Sequence, residues 1–327
     1  MRAEIDTKLI IIKELSKGLF VSGQALAALL NISRTAVAKH IKTINTLGLE
    51  VFSVKGKGYR LAQPVSLLNE EKIHHLYNHN SAIALHHIID STNAHLIRML
   101  RETHSVSDGY TVISECQTHG RGRRGRKWVS PYGSHVYLSR YYQSQDGLSE
   151  AAGLSLAIGI AVANCINQFI EGKANLKWPN DVLINDKKVA GVLVEAEGQS
   201  DGLCHLVIGI GVNINMPNNV DIDQPWTDVK SNTDSIIDRN EFVARLLLEI
   251  DKIMLTFKQH RLETLYSIWN EMNAYDGLLV TLSSGKEQKQ GKCLGIDNTG
   301  SLMLEDELTK RIFKAYGGEL SLRKARK

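Results

Sequence analysis

The stretch Gly120-Arg121-Gly122-Arg123-Arg124-Gly125-Arg126-Lys127-Trp128 decides how the chain is read. Five of the seven residues from Arg121 to Lys127 are cationic. Like charges at this density repel one another, and make sense opposite a polyanion. Three glycines remove side chains that would keep a ligand off the backbone. Gly120, Gly122 and Gly125 also spell G-x-G-x-x-G, but a dinucleotide-binding turn needs a strand before it and a helix after it. Here the glycines run into Arg126-Lys127-Trp128-Val129-Ser130-Pro131, and Pro131 argues against a helix. The dinucleotide fold is rejected. Two readings stay open: a loop that wraps a triphosphate or pyrophosphate, and a disordered basic patch that binds nucleic acid.

The chain has 327 residues, enough for two or three domains with a sizeable core. Its 43% hydrophobic and 23% charged content is ordinary for a globular protein. No run approaches the roughly 18 consecutive apolar residues of a membrane span, and the acidic start Met1-Arg2-Ala3-Glu4-Ile5-Asp6 lacks a signal-peptide pattern. Cys116, Cys165, Cys204 and Cys293 are scattered, which fits a reducing cytoplasm and argues against a structural zinc site. Charge is unevenly placed. Residues 1–63 hold ten Lys/Arg and four Asp/Glu, a balance of +6, while the whole chain is +4 and the remainder therefore −2. A basic module on a near-neutral body points to a nucleic-acid partner for that module.

The module has a matching pattern. Residues 5–17 read as a helix with Leu9, Ile12 and Leu15 on one side. Ser22 and Ser33 are placed to cap a second and a third helix, and Gly48 stops the third. On the third, Val37, Ile41 and Ile44 face inward, leaving Ser33, Arg34, Thr35, Ala38, Lys39 and Lys42 for DNA. A ribbon with Lys55-Gly56-Lys57-Gly58 at its tip reads as a wing, with Lys55 and Lys57 on phosphates. Gln63-Pro64 ends the module. A plain three-helix bundle with solvated lysines is the alternative.

Beyond it, residues 66–78 read as a helical linker, 85–89 as a strand, 94–102 as a helix, and 111–115 and 135–140 as strands. Residues 153–170 form an apolar, small-residue helix, and 182–184 with 189–195 a hairpin about Asn185-Asp186-Lys187. A strand at 206–213, a polar acidic loop at 218–226 and helices at 241–257 and 262–270 follow. Past Tyr275, short strands at 278–282, 290–296, 302–305 and 311–313, with turns at Ser284-Gly285, Asp297-Asn298-Thr299-Gly300 and Gly317-Gly318, predict a small SH3-like barrel. The doublet His86-His87 reads as ordinary strand or surface histidines.

Four further stretches accompany the arginine loop: Asp90-Ser91-Thr92-Asn93, Lys177-Trp178-Pro179-Asn180-Asp181, Lys187-Lys188-Val189-Ala190-Gly191-Val192-Leu193-Val194-Glu195, and Ile208-Gly209-Ile210-Gly211-Val212-Asn213-Ile214-Asn215. In this order and spacing they resemble the biotin protein ligases. With the basic module included, the whole chain resembles the bacterial biotin ligases that also repress the biotin operon. The resemblance implies an α+β, multidomain chain: a winged helix-turn-helix at 1–65, a catalytic α/β domain at 66–272 related to class II synthetases with a mixed or antiparallel sheet, and an SH3-like domain at 273–327. It implies ATP and Mg²⁺ as co-reactants, biotin as substrate, and biotinyl-5′-AMP as intermediate and corepressor. The implied partners are the biotin carboxyl carrier protein of acetyl-CoA carboxylase, operator DNA and a second copy of the chain, with no membrane.

The chemistry fits the residues. A carboxylate joins an amine in water only after activation, here as an acyl adenylate, and attack by one anion on another needs fixed cations at the reacting oxygens. Arginine suits this because it stays charged and binds phosphate bidentately. The resemblance puts Ser91, Thr92, Asn93, Gln117, Gly120, Arg121, Gly122, Arg123, Lys188 and Gly191 on biotin. Arg123, Arg124, Arg126, Lys127, Asn180, Asn213 and Trp226 fall on the nucleotide, the last two at the adenine. Lys188 and Arg121 are the catalytic cations, and Asp181 holds Mg²⁺ or orients the incoming lysine. The bare residues allow plainer roles: capping for Ser91 to Asn93, a turn for Asn180-Asp181, and core positions for Trp128 and Trp178. The chain departs from the family's pattern at Cys116, where an aromatic is expected, and at Thr118-His119, where Gln-Ala is; His119 predicts a pH-sensitive hold on the adenylate. A lipoate ligase and a non-enzymatic, effector-binding repressor are the rivals.

Overall fold

The computed structural model describes residues 2–63, 65–103, 106–145, 147, 150–198, 203–217, 221–284, 287–316 and 320–325. Pro64, Asn218, Gly285, Gly317 and Gly318, expected above at boundaries and turns, lie outside the described residues.

The chain opens with α1 (Arg2–Ser16), α2 (Gly23–Leu30) and α3 (Arg34–Thr46), followed by the antiparallel ribbon β1 (Val51–Val54) and β2 (Gly58–Leu61). The caps are as the sequence suggests. Ser22 Oγ accepts from Ala25 N at 3.0 Å and Ser33 Oγ from Ala36 N at 3.1 Å, supplying partners that the first helical turn lacks. Asn31 turns the chain between α2 and α3 in the left-handed region. On α1 the fully buried side chains are Ile11, Ile12 and Leu15, whereas Leu9 is only half-buried. Gly58, at φ +104°, has to be glycine: a Cβ there would stand 2.2 Å from Val21 O.

The central unit is a mixed seven-stranded sheet in the order β3-β4-β5-β9-β8-β7-β6. Its elements are α4 (Glu70–Tyr77), β3 (Ile83–His86), α5 (Thr92–Thr103), β4 (Thr111–Ser114), β5 (His135–Ser144), α6 (Glu150–Asn167), β6 (Asn175–Lys177), β7 (Asp181–Ile184), β8 (Lys187–Gly198), β9 (Cys204–Asn213), α7 (Arg239–His260) and α8 (Tyr266–Glu271). Only β3 and β4 run parallel. Alternation along β9 separates two faces. Leu206, Ile208, Ile210 and Val212 pack with α6 and α7 in the main core, while Val207 packs with Leu96 of α5. Gly209 and Gly211 share the α5 face and leave it bare. The expected strand at 85–89 ends at His86, because its pairing with β4 stops at Ser114. The linker is helical only over α4, capped by Asn69. Thr92 and Asn93 sit inside the first turn of α5, not before it.

The C-terminal unit is an antiparallel sheet in the order β13-β12-β11-β10-β14, built from β10 (Leu279–Ser284), β11 (Glu287–Ile296), β12 (Leu302–Glu305), β13 (Ile312–Ala315) and β14 (Leu320–Lys324). The sequence reading missed β14. Among the described residues, no helix is long and apolar enough to cross a membrane.

The winged helix is seated on the catalytic unit. Cys116 and Tyr132, on either side of the arginine loop, belong to the winged-helix core, and Tyr132 N donates to Leu47 O at 2.8 Å. His135 on β5 is fully buried, with no well-formed hydrogen bond to either ring nitrogen. Burial pushes its imidazole down to about 4, with the Ser134 backbone and Asp228 opposing and Arg239 assisting. Between pH 6.5 and 4 the unfolded chain therefore binds a proton that the folded chain excludes, so stability falls as pH drops through that window, by about 3 kcal/mol in all. His135→Leu should flatten this acid limb in urea unfolding at pH 7, 5.5 and 4.5; an unchanged pH slope would assign the limb to other groups.

Candidate active site

The arginine loop is a short hairpin. Trp128 N donates to Gly120 O at 2.9 Å and Gly122 N to Arg126 O at 2.8 Å, with Arg121 opposite Lys127. The tip, Arg123 to Gly125, turns through Arg124 and Gly125 at positive φ. Gly120 is buried in the stem. A Cβ there would meet Trp128 O and Ser130 Oγ at 2.6 Å, so the hairpin itself requires this glycine. Gly122 does border the cleft beneath, which measures about 420 Å³.

The cleft's floor is glycine. A Cβ at Gly209 would stand 2.4 Å from Asn93 Oδ1, and one at Gly211 would stand 2.5 Å from the Trp128 ring. Asn93 and Trp128 therefore lie flat on the sheet. Trp128, expected in the core, is half-buried and forms a wall, with its indole N–H buried and unpaired; Trp178 is core, 2% exposed at the cleft's edge. Ser91, Thr92 and Asn93 are each 4% exposed yet border the same space. Ser91 Oγ still accepts from Ala94 N at 3.4 Å, so capping and site coexist. Gln117 Oε1 accepts from Thr92 N at 2.8 Å and so fixes the helix start to the loop's stem.

Lys188 reaches the cleft through an irregularity. β7 and β8 pair Asp181 with Gly191 and Val182 with Ala190, then Leu183 with Lys188, leaving Val189 as an extra residue. Strict alternation would put Lys188 with Ala190 and Val192 on the core face. The bulge re-aims it to the side of Gly191, whose missing Cβ would lie 3.2 Å from Lys188 Nζ. There Lys188 Nζ is 2.5 Å from Asp181 Oδ1 and 5.2 Å from the centre of the Trp128 ring. Lys177 Nζ approaches the other oxygen of Asp181 at 3.6 Å. Burial alone would raise the Asp181 carboxyl, but Lys188, then Lys177 and Arg123, outweigh it and hold it below the usual carboxylate range. Burial pushes the Lys177 ammonium down despite Asp181.

Arg123 donates to Asn180 Oδ1 at 3.2 Å, while Asn180 Nδ2 donates to Val192 O at 2.7 Å. Arg124, Arg126 and Lys127 also border the cleft. Two expected residues do not. Asn213 is 4% exposed and donates to Thr227 O at 3.0 Å, and Trp226 pairs in the sheet beside Lys188; neither is among the residues bordering the cleft. His119 is exposed, beside Thr118 at 2.9 Å, and also outside the cleft wall. The sequence reading missed Leu320, Leu322 and Arg323 of β14, which close one side; the alternation Leu320-Ser321-Leu322-Arg323 was the available signal. Of the residues assigned above to DNA, Arg34, Thr35, Ala38, Lys39, Lys42, Lys55 and Lys57 are all exposed, and Ser33 caps α3.

A cationic hairpin over a lysine–aspartate pair, joined to a winged helix, defines a DNA-binding protein with a ligase-type site. Comparison agrees: the biotin/lipoate A/B protein ligase family model matches residues 85–213, and an HTH domain model matches residues 7–60. Over 320 residues the chain is 38% identical to the bifunctional ligase/repressor BirA of Salmonella typhimurium, covering 97% of this chain and 98% of that one. It is 31% identical to the Bacillus subtilis protein of the same name, covering 96% and 98% respectively. Its structure is similar to the Aquifex aeolicus biotin protein ligase solved with biotin and ATP, at a TM-score of 0.64 and 29% identity, covering 75% of this chain and 99% of that chain. The chain belongs to the bifunctional biotin ligase/repressor family.

Proposed function

We propose that this protein joins biotin to one lysine of the biotin carboxyl carrier protein of acetyl-CoA carboxylase through biotinyl-5′-AMP, and that the adenylate-loaded form represses biotin synthesis genes. The observation that carries the reading is the convergence, over one glycine floor, of the arginine hairpin and the Lys188–Asp181 pair.

Two displacements balance the reaction. A biotin carboxylate oxygen bonds to the α-phosphorus of ATP, and pyrophosphate leaves. The acceptor amine then bonds to the acyl carbon, loses a proton, and AMP leaves with the electron pair of the broken C–O bond. Lys188 offsets the repulsion between carboxylate and phosphate in the first step. Asp181, held low, is a weak base; it suits orienting Lys188 and the incoming amine. Arg123, Arg124, Arg126 and Lys127 cover the phosphates. Among the described residues no three His, Cys, Asp or Glu side chains are grouped to hold a metal, and Asp181 is engaged by two lysines. Mg²⁺ arriving with the triphosphate needs only one or two protein carboxylates, and Asp181 would supply one.

The test is intact-mass analysis of a carrier domain incubated with this protein, Mg-ATP and biotin. A single biotinyl mass increment supports the reading. No increment leaves the non-enzymatic repressor, and an increment with lipoate alone leaves the lipoate ligase.

Arg34, Thr35, Ala38, Lys39 and Lys42 would enter the operator's major groove, with Lys55 and Lys57 on phosphates. One winged helix reads too few base pairs for an operator, so two copies would bind an inverted repeat. Pairing of β7 with β8 stops at Asp181–Gly191. Among the described residues, the outer edge of β8 over 193–198 thus carries no strand, next to the cleft, and would suit a second copy. Sedimentation velocity with and without biotinyl-5′-AMP checks this: a monomer in both would remove the adenylate-driven dimer and leave the ligase reading standing.

A further inference from the structure

Glu195 stands on β8 on the same face as Gly191 and Leu193, four residues beyond Gly191. One of its oxygens, Oε2, takes two donors from different parts of the site. Asn93 Nδ2 reaches it at 2.8 Å and Arg121 Nη2 at 3.1 Å. Asn93 is otherwise pinned at every point: its amide also donates to Leu193 O at 3.3 Å, its Oδ1 accepts from Ser139 Oγ, and its plane lies on Gly209. Arg121 begins the cationic hairpin. An ordinary exposed ion pair contributes little, because two flexible side chains must be ordered to make it. Here the carboxylate is already fixed by a buried amide, so only the arginine has to be ordered.

We propose that Glu195 is a positioning residue that ties the closure of the arginine hairpin to the Asn93 end of the pocket. Arg121 then acts through Glu195 and not on phosphate, unlike Arg123, Arg124, Arg126 and Lys127 around the tip. A ligand that settles against Asn93 steadies the carboxylate, and the carboxylate steadies the hairpin stem. The inference rests on the ligase reading and adds to it which group anchors the lid.

A double-mutant cycle tests it in the full-length protein, with escape of preformed biotinyl-5′-AMP as the readout. Arg121→Ala and Glu195→Ala should each speed escape about tenfold, the scale of one charge-assisted hydrogen bond. The double variant should stay within about threefold of the worse single, because both remove the same contact. Glu195→Gln keeps an acceptor for Asn93 while removing the charge that Arg121 meets. It should speed escape yet leave biotin affinity without ATP within about threefold, whereas Glu195→Ala should weaken both. The losses should fall on biotin KM and on escape, not on kcat. Multiplying losses of about a hundredfold in the double variant, or escape unaffected by Glu195→Gln, overturns the anchor. Failure of the wild-type protein to make biotinyl-5′-AMP at all would instead overturn the ligase reading.

Discussion

Lys188→Ala is expected to slow biotinyl-5′-AMP formation by about 10²–10³-fold, the usual effect of removing one preorganised charge from a reacting centre. The fold should be unchanged, since Lys188 donates to the sheet only through its backbone, to Pro225 O at 3.0 Å, and alanine preserves that. Its side chain is 16% exposed, held between Asp181 and the Trp128 ring. A lysine with no task at the cleft would be expected to extend into water. Removal leaves Asp181 with Lys177 and Arg123 as its remaining cations, on a carboxylate 15% exposed. Repulsion between that carboxylate and an incoming anion should therefore weaken ATP and biotin as well as slow the chemistry. Single-turnover measurement of pyrophosphate release separates the two effects. Lys188→Arg keeps the charge but brings a planar fork into a space shaped by Gly191, and should recover only part of the rate. A single-turnover rate within a few-fold of wild type for Lys188→Ala would reduce Lys188 to a hairpin lysine.

Local chemistry was readable in the sequence wherever a single turn or period sets the structure. The serine caps of α2 and α3, the glycine tip of the wing and the alternation of β9 each act within a few residues, so their signals survive in one dimension. The hairpin around Asn185 and Asp186 was legible for the same reason: both residues sit at positive φ, as a two-residue β-turn requires. What was not legible depends on registers set from a distance. Nothing in Lys187-Lys188-Val189-Ala190 says that Val189 is the extra residue, because the bulge is defined by which residue of β7 pairs with which of β8. Glu195 looked like the end of an apolar strand. Its role appears only when Asn93, 102 residues earlier, is laid over Gly209. β14 lies more than 130 residues beyond Lys188, yet Lys324 reaches Asp186 of the hairpin at 2.6 Å. Trp128 was misplaced because a tryptophan after a basic run carries no sign of the glycine opposite it. Asn213 and Trp226 also take part in the sheet around Lys188, a pairing that no periodicity announces.

Arg239→Met should cost about 3–5 kcal/mol of stability, the penalty for leaving a buried partner charge uncompensated. Arg239, at the start of α7, is 2% exposed and pairs with Glu115, which is 0% exposed. The guanidinium also donates to Ser66 O at 3.0 and 2.7 Å and to His135 O at 2.8 Å, while Glu115 Oε1 accepts from Leu68 N at 2.5 Å. One ion pair thus gathers the linker after the winged helix, the first residue of β5 and the residue two before Gln117. Methionine fills part of the volume but leaves the carboxylate and two carbonyls without their donor. That loss is a large share of the roughly 5–15 kcal/mol available to a folded domain. Glu115→Gln should cost less, since its carbonyl can still accept from Leu68 and only the charge is lost. Arg239→Met combined with Glu115→Gln should cost less than Arg239→Met alone, because no buried charge is then left unpaired. Urea unfolding gives the magnitudes, and limited proteolysis at residues 63–67 reports whether the winged helix loosens first. A loss below about 1 kcal/mol for Arg239→Met, or equal losses for all three variants, would show that water or a neighbouring group replaces the guanidinium and that this pair does not hold the two units together.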